Sequence, residues 1–284
     1  MEGGPAAAGA RKIHGLEWQL ILQLLLLGCF TGFLAGLLGI GGGMLMVPFM
    51  TFLLSRQGVE SALAVKIAIA TSMATIMFTS LSSIRAHHAR GAIRWDLVRT
   101  LAPGITVMAI ITGAVIYPAI RGSALALVFA LFVGFSATQM LRNTKPPASR
   151  QMPGPAGRLV AGGVIGTLSG LVGAGGGFIS VPFMAWCNVP MHNAVATSAA
   201  LGFPIAVAST LGNVIGGWSL PNPLPGSVGY LWLPALAVIA TASVLVAPLG
   251  AKAAHALNVT QLKRVFAGML YLLAGYMLYK SLAG

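Results

Sequence analysis

Hydrophobic positions run almost unbroken through eight stretches, 16–38, 61–84, 97–119, 122–141, 158–174, 193–215, 229–251 and 261–282. Each is near the roughly 20 apolar residues that an α-helix needs to cross a bilayer core. Two further apolar stretches, Met44 to Leu54 and Phe178 to Cys187, are too short to span comfortably, and each directly follows a cluster of glycines. The pattern predicts an all-α, polytopic membrane protein with eight to ten membrane segments, some of them interrupted or re-entrant.

The pattern also occurs twice. Gly32 to Met50 reads GFLAGLLGIGGGMLMVPFM and Gly166 to Met184 reads GTLSGLVGAGGGFISVPFM, with 12 of 19 positions identical at an offset of 134. A second marker follows each copy: AIATSMA at Ala68 to Ala74 answers AVATSAA at Ala194 to Ala200. The organisation expected is a tail over 1–15, a first membrane repeat over 16–141, a linker over 142–158 and a second repeat over 159–284. The linker is basic and rich in proline, as a loop between two packed units should be.

Composition agrees with membrane burial: of 284 residues 57% are hydrophobic and 7% charged, and Glu2, Glu17, Glu60 and Asp96 are the only acids. The net charge of +13 does not form a patch interleaved with aromatics, so nucleic acid is not expected as a partner. Instead the basic residues gather in three loops: Arg85 to Arg99, Arg142 to Arg158, and Lys252 to Arg264. Such loops favour the cytoplasmic side. Placing all three there requires an even number of crossings between consecutive loops, which holds if each glycine cluster and its flanking segments make zero or two crossings; each half then makes an odd net number, so the halves would be inverted with both chain ends outside. Arg11 and Lys12 run against that arrangement, and parallel halves are the alternative. Arg11 and Lys12 also precede an apolar run in the manner of a signal peptide, but the run continues into the glycine motif and reads as the first membrane helix.

Glycine at this density destabilises a helix by about 1 kcal/mol per residue relative to alanine. Pro48 or Pro182 then removes a backbone donor. The helix is therefore expected to open at Gly41, Gly42 and Gly43, and again at Gly175, Gly176 and Gly177. Opened backbone inside a bilayer must face protein or a water-filled cavity. The short helix that restarts beyond each cluster points its free N–H groups and positive dipole end back at the glycines, which attracts anions. Close helix packing of the small-xxx-small kind is the structural alternative, and it accounts well for Gly32, Gly36, Gly166 and Gly170. Neither a P-loop nor a dinucleotide fingerprint fits, since Met44 and Phe178 stand where those motifs need other residues.

Thr71 and Ser72, matched by Thr197 and Ser198, offer hydroxyls for a desolvated oxyanion or, alternatively, for interhelical hydrogen bonds. Lys66 and His192 each stand five residues before these pairs. Lys66 is either an anion contact or a side chain snorkelling to the interface; His192 is an anion contact, a proton carrier or a helix-end residue. Gln139 and Asn213 read as helix–helix hydrogen-bonding residues. His87 and His88 diverge around a helix by about 100° and do not suggest a metal site. Cys29 and Cys187 read as buried thiols. No nucleophile, base and orienting group occur together, so neither catalysis nor a cofactor or metal is expected.

With the two glycine motifs, the Thr-Ser segments, IRAHHARGAIRWD at Ile84 to Asp96 and MHNAVATSAALGFPIAVASTLGNVIGGW from Met191, the chain from about Leu20 to Tyr279 resembles the sulfite exporter TauE/SafE family of permeases. The resemblance implies a multi-pass protein of the cytoplasmic (inner) membrane that moves sulfite, sulfoacetate or related small sulfur anions, usually outward. A secondary transporter in contact with membrane lipids is the reading expected; a passive anion channel, or a permease for another small organic anion, is the alternative.

Overall fold

The computed structural model describes residues 18–38, 42–142, 150–220, 224–253 and 259–283. In the first half α1 (Trp18–Leu38) leads to a short α2 (Gly43–Arg56), then α3 (Ser61–His88), α4 (Trp95–Ala119) and α5 (Gly122–Arg142). The second half follows the same order: α6 (Pro155–Val172), a short α7 (Gly177–Trp186), α8 (Met191–Gly216), α9 (Leu233–Ala253) and α10 (Val259–Ala283). Among the described residues eight of these helices are long and apolar enough to cross a membrane; α2 and α7 are not. The protein is thus an all-α polytopic membrane protein.

Two boundaries differ from the sequence pattern for local reasons. Helix α6 starts at Pro155 rather than 158, because proline suits the first helical turn, where its missing N–H has no partner to lose. Helix α9 starts at Leu233 rather than 229, because the preceding residues form a small antiparallel hairpin, β1 (Ser227–Val228) with β2 (Leu231–Trp232).

The halves pack by exchange. Helix α1 lies along α9 as α6 lies along α4, while α3 packs on α8 and α5 on α10. Small residues allow the closest approaches, as expected where lipid supplies no hydrophobic drive between helices: Gly28 rests on Ile239, Gly32 on Ser243, Gly162 on Leu101 and Gly166 on Ile105. These contacts advance together along both chains, so α1 runs parallel to α9 and α6 parallel to α4. By contrast α3 and α8 are antiparallel. Asn193 Nδ2, near the start of α8, donates to Ala92 O just beyond the end of α3 (2.8 Å). At the other end Gly122 of α5 packs on Ala62, and Lys280 Nζ of α10 donates to Ser61 Oγ (2.9 Å).

Those directions sort the connections into two ends. The α3–α4 turn, the approach to α6, the α7–α8 turn and the end of α9 share one end, which carries Arg85, Arg90, Arg94, Arg150, Lys252 and their neighbours. Arg56, Arg121 and Lys280 stand at the other. Exposed tryptophans mark both ends, Trp95 and Trp186 at the basic one and Trp18 and Trp218 opposite, as in the aromatic belts of membrane proteins. Between them the outer faces are apolar, with Leu245, Val265 and Leu272 about as exposed as Trp218.

Candidate functional site

Each glycine cluster ends a long helix and restarts a short one, and the fold brings the two breaks into contact. Gly43, the first residue of α2, packs so closely on the Gly173 carbonyl that a β-carbon would overlap it. Ser72 Oγ of α3 donates to the same carbonyl (3.2 Å), with the Gly43 carbonyl at 3.5 Å. One turn further along α3, Ile76 lies against both Gly43 and Gly175. Gly41 lies outside the described residues.

The two breaks are built differently. Gly42 precedes α2 at φ −59°, and its carbonyl accepts from Leu45 N and Met46 N (3.2 and 3.1 Å). In the second half Gly173 (φ +72°) and Gly176 (φ +79°) are both left-handed, a conformation open to glycine at no steric cost, and together they reverse the chain within four residues. Gly176 O accepts from Ile179 N and Ser180 N (3.0 and 2.8 Å), which leaves the earlier N–H groups of α7 directed back toward the break. Ser198 Oγ stands 3.5 Å from where a Gly177 β-carbon would lie and accepts from Ser180 Oγ (2.7 Å). Ser169 Oγ is 3.4 Å from the corresponding point at Gly176 and has no hydrogen-bond partner.

A small cavity, with about 10 Å³ of room for a water-sized occupant, opens at the first break between α1, α2, α3 and α9. Gly42, Gly43, Thr31, Thr75, Thr79 and Ser243 line it. Each of these hydroxyls spends its proton on a main-chain carbonyl: Thr31 on Leu27, Thr75 on Thr71, Thr79 on Ile76 and Ser243 on Gly28. The cavity wall therefore presents hydroxyl lone pairs beside the donor end of α2. Thr75 and Thr79 were legible as further members of the Thr71 face at four-residue spacing. Ser169 was hidden, because the first repeat has Ala35 at that register.

Thr71 and Thr197 are fully buried, and each accepts a backbone N–H from the opposite half. Trp232 N, at the end of β2 just before α9, donates to Thr71 Oγ1 (3.2 Å), and Arg94 N, just before α4, donates to Thr197 Oγ1 (3.0 Å). They thus tie each half's third helix to the start of the other half's fourth, the interhelical alternative open from sequence.

Lys66 and His192 are not brought to the breaks. Lys66 Nζ donates to Pro118 O (3.1 Å) and lies over the rings of Tyr117 and Tyr230, 5.9 and 5.5 Å from their centroids. Tyr117 OH returns a hydrogen bond to Lys66 O (2.7 Å). Burial pushes the Tyr230 phenol up. His192 is exposed at the start of α8, on the basic end. Asn213, read from sequence as an interhelical hydrogen bonder, is buried with its Nδ2 unpartnered.

Eight helices long and apolar enough to span, with the starts of two short ones set between them, make a polytopic membrane protein of the architecture that interrupted-helix transporters use. The chain belongs to the family Sulfite exporter TauE/SafE, whose profile matches residues 24–277. It is 36% identical over 261 residues to a "Probable membrane transporter protein" of Haemophilus influenzae, covering 92% of this chain and 98% of that one. A protein of the same description from Methanocaldococcus jannaschii is 28% identical over 267 residues, 92% of this chain and 97% of that one. No solved structure matches the chain.

Proposed function

We propose that this membrane transporter carries small sulfur-containing anions, sulfite or an organosulfonate, across the cytoplasmic membrane as a secondary transporter working by alternating access, without altering them chemically. The observation that carries this reading is the meeting of the two breaks at Gly43 and Gly173, bridged by Ser72 Oγ. Two helix N-termini are thereby directed into one region free of carboxylates, the arrangement that favours a desolvated anion.

In this reading Gly41 to Gly43, Gly175 to Gly177, Ser72 and Ser198 surround the anion. Thr71 and Thr197 hold the surrounding helices in place, and Lys66 and His192 stand toward the two entrances. The repeats, divided at the 142–158 linker, are inverted: the antiparallel α3 and α8 support this, as does the gathering of basic loops at one end, which becomes the cytoplasmic end. The TauE/SafE family description supports sulfite or a near relative as substrate.

Counterflow of labelled sulfite, sulfoacetate, thiosulfate and sulfate in proteoliposomes, with and without a pH gradient, tests the reading. Saturable exchange of at least one of them is expected. No exchange by demonstrably folded protein would overturn it, and electrical currents far above carrier turnover would make it a channel.

A further inference from the structure

Among the described residues, four polar groups buried on the helices around the second break lack a hydrogen-bond partner, as does Thr210 Oγ1 on half-buried Thr210 beside Ser209. Thr112 of α4, Ser169 of α6, and Ser209 and Asn213 of α8 are each 0 or 1% exposed, and Thr112 Oγ1, Ser169 Oγ, Ser209 Oγ and Asn213 Nδ2 have no hydrogen-bond partner. Serine and threonine within helices ordinarily bond back to the preceding turn, as Thr31 and Thr75 do in the first half. These do not. An unpaired buried polar group is costly, and in a native fold it calls for an absent water, ion or ligand, or another conformation.

Their positions form a line. Ser169 faces Gly176 at the break. The next residue, Gly170, leaves space between Ser209 Oγ and Thr112 Cγ2, both 3.5 Å from where its β-carbon would lie. Asn213 follows Ser209 by one turn on the same face of α8, where Gly212 and Asn213 N rest against Gly113. At this point α4 relaxes into a π turn, Thr112–Ile116, with Tyr117 N donating to Thr112 O. Such single π turns recur at functional sites. The line runs from the break toward the end opposite the basic loops.

We propose that Thr112, Ser169, Ser209 and Asn213 form an oxyanion-binding station on the outer leg of the substrate path, closed in this conformation. This rests on the alternating-access reading above and goes beyond it by naming where the anion passes after leaving the glycines. The chemistry is that of neutral donors: three hydroxyls and one amide, with no carboxylate to repel an anion. The only acid on α4, α6 and α8 is Asp96, about 24 Å from Thr112 along α4 at 1.5 Å per residue. The matching positions of the first repeat differ in the way a closed outer and open inner leg require. Ser83 and His87, which match Ser209 and Asn213 at the Thr-Ser offset of 126, are only half-buried near the basic end, and the small cavity lies on their side. The outer groups are dry and unpaired because their passage is shut; opening it would hydrate them.

The test uses the full chain in spheroplasts, on a Cys29→Ala/Cys187→Ala background that keeps wild-type counterflow. Ser209→Cys and Asn213→Cys, each checked for folding, are exposed from outside to a membrane-impermeant thiosulfonate, with Trp218→Cys as the accessible control. Labelling of positions 209 and 213 from outside is expected. Thr112→Val is expected to raise the melting temperature, since it removes an unpaired hydroxyl, while slowing counterflow at least tenfold. If the control labels but neither cysteine does, or if Thr112→Val exchanges anion at the wild-type rate, the station does not exist. Wild-type counterflow is read separately, so failure of the transport reading is told apart from failure of the station.

Discussion

The two glycine breaks share a sequence pattern, yet the first opens on a small cavity with its hydroxyls satisfied and the second is a turn beside an unpartnered hydroxyl. Around Gly42 and Gly43 the threonine protons are committed to helix carbonyls and a small cavity remains. Around Gly176 and Gly177 the chain turns through left-handed residues, and Ser169, which occupies the register of Ala35, has nothing to bond. Near-identical motifs have therefore diverged in hydrogen-bonding chemistry while keeping the same backbone task. The difference teaches that two halves with the same order of helices need not present the same hydrogen-bonding surface at their breaks.

Four substitutions would break or sharpen this contrast. The largest effect is expected from Gly43→Leu and Gly176→Leu, each bringing counterflow to the background of empty liposomes with the protein still inserted. Gly43 touches the Gly173 backbone and Gly176 is left-handed, so neither position can absorb a side chain. If either variant transports normally, the two breaks do not act as one device. Next, Ser169→Ala should weaken half-saturation for the exchanged anion by about 10- to 100-fold, the loss of one hydrogen bond to a charged group at ~1.5–3 kcal/mol. The reciprocal Ala35→Ser should change it little. Equal effects would show the halves to be chemically equivalent after all.

A smaller effect is expected on stability from the threonines that tie the halves together. Thr71→Val leaves the buried Trp232 N–H without an acceptor and should cost about 1–3 kcal/mol, read as a fall in melting temperature in detergent. Thr197→Val should fall at the lower end, since Arg94 N lies at the more exposed basic end. A larger loss for Thr197 would reverse the inferred order of the two ties. Least of all, Arg94→Ala should shift stability by under ~1 kcal/mol, because its ion pair with Asp96 (2.8 Å) joins side chains that are both about half exposed.

Much of this was legible in the chain. All eight spans appeared as apolar runs with boundaries within a few residues of the helices, because hydrocarbon allows only hydrogen-bonded helix or closed barrel to cross it. The glycine clusters announced breaks for the same reason in reverse. Less legible was the hairpin before α9: Ser227 to Trp232 is as apolar as a helix start, and its turn depends on Gly229 at φ +58° packing against Val214. Lys66 stood between two readings in the sequence, an anion contact or a side chain snorkelling to the interface; the structure adds its partners, Pro118 O and two tyrosine faces, which are distant in sequence.

The sequence by itself determined that the protein is an all-helical membrane protein with one glycine motif occurring twice, where its helices break, and which family it belongs to, since these depend on local hydrophobicity, glycine content and motif order. Only the tertiary structure decided that Gly43 meets Gly173, that Thr71 and Thr197 serve the opposite half, and that Ser169, Thr112, Ser209 and Asn213 are left unpaired along one line. Those facts depend on the direction in which helices from the two halves pass one another, and hydrogen-bond satisfaction is a property of that packing rather than of any segment alone.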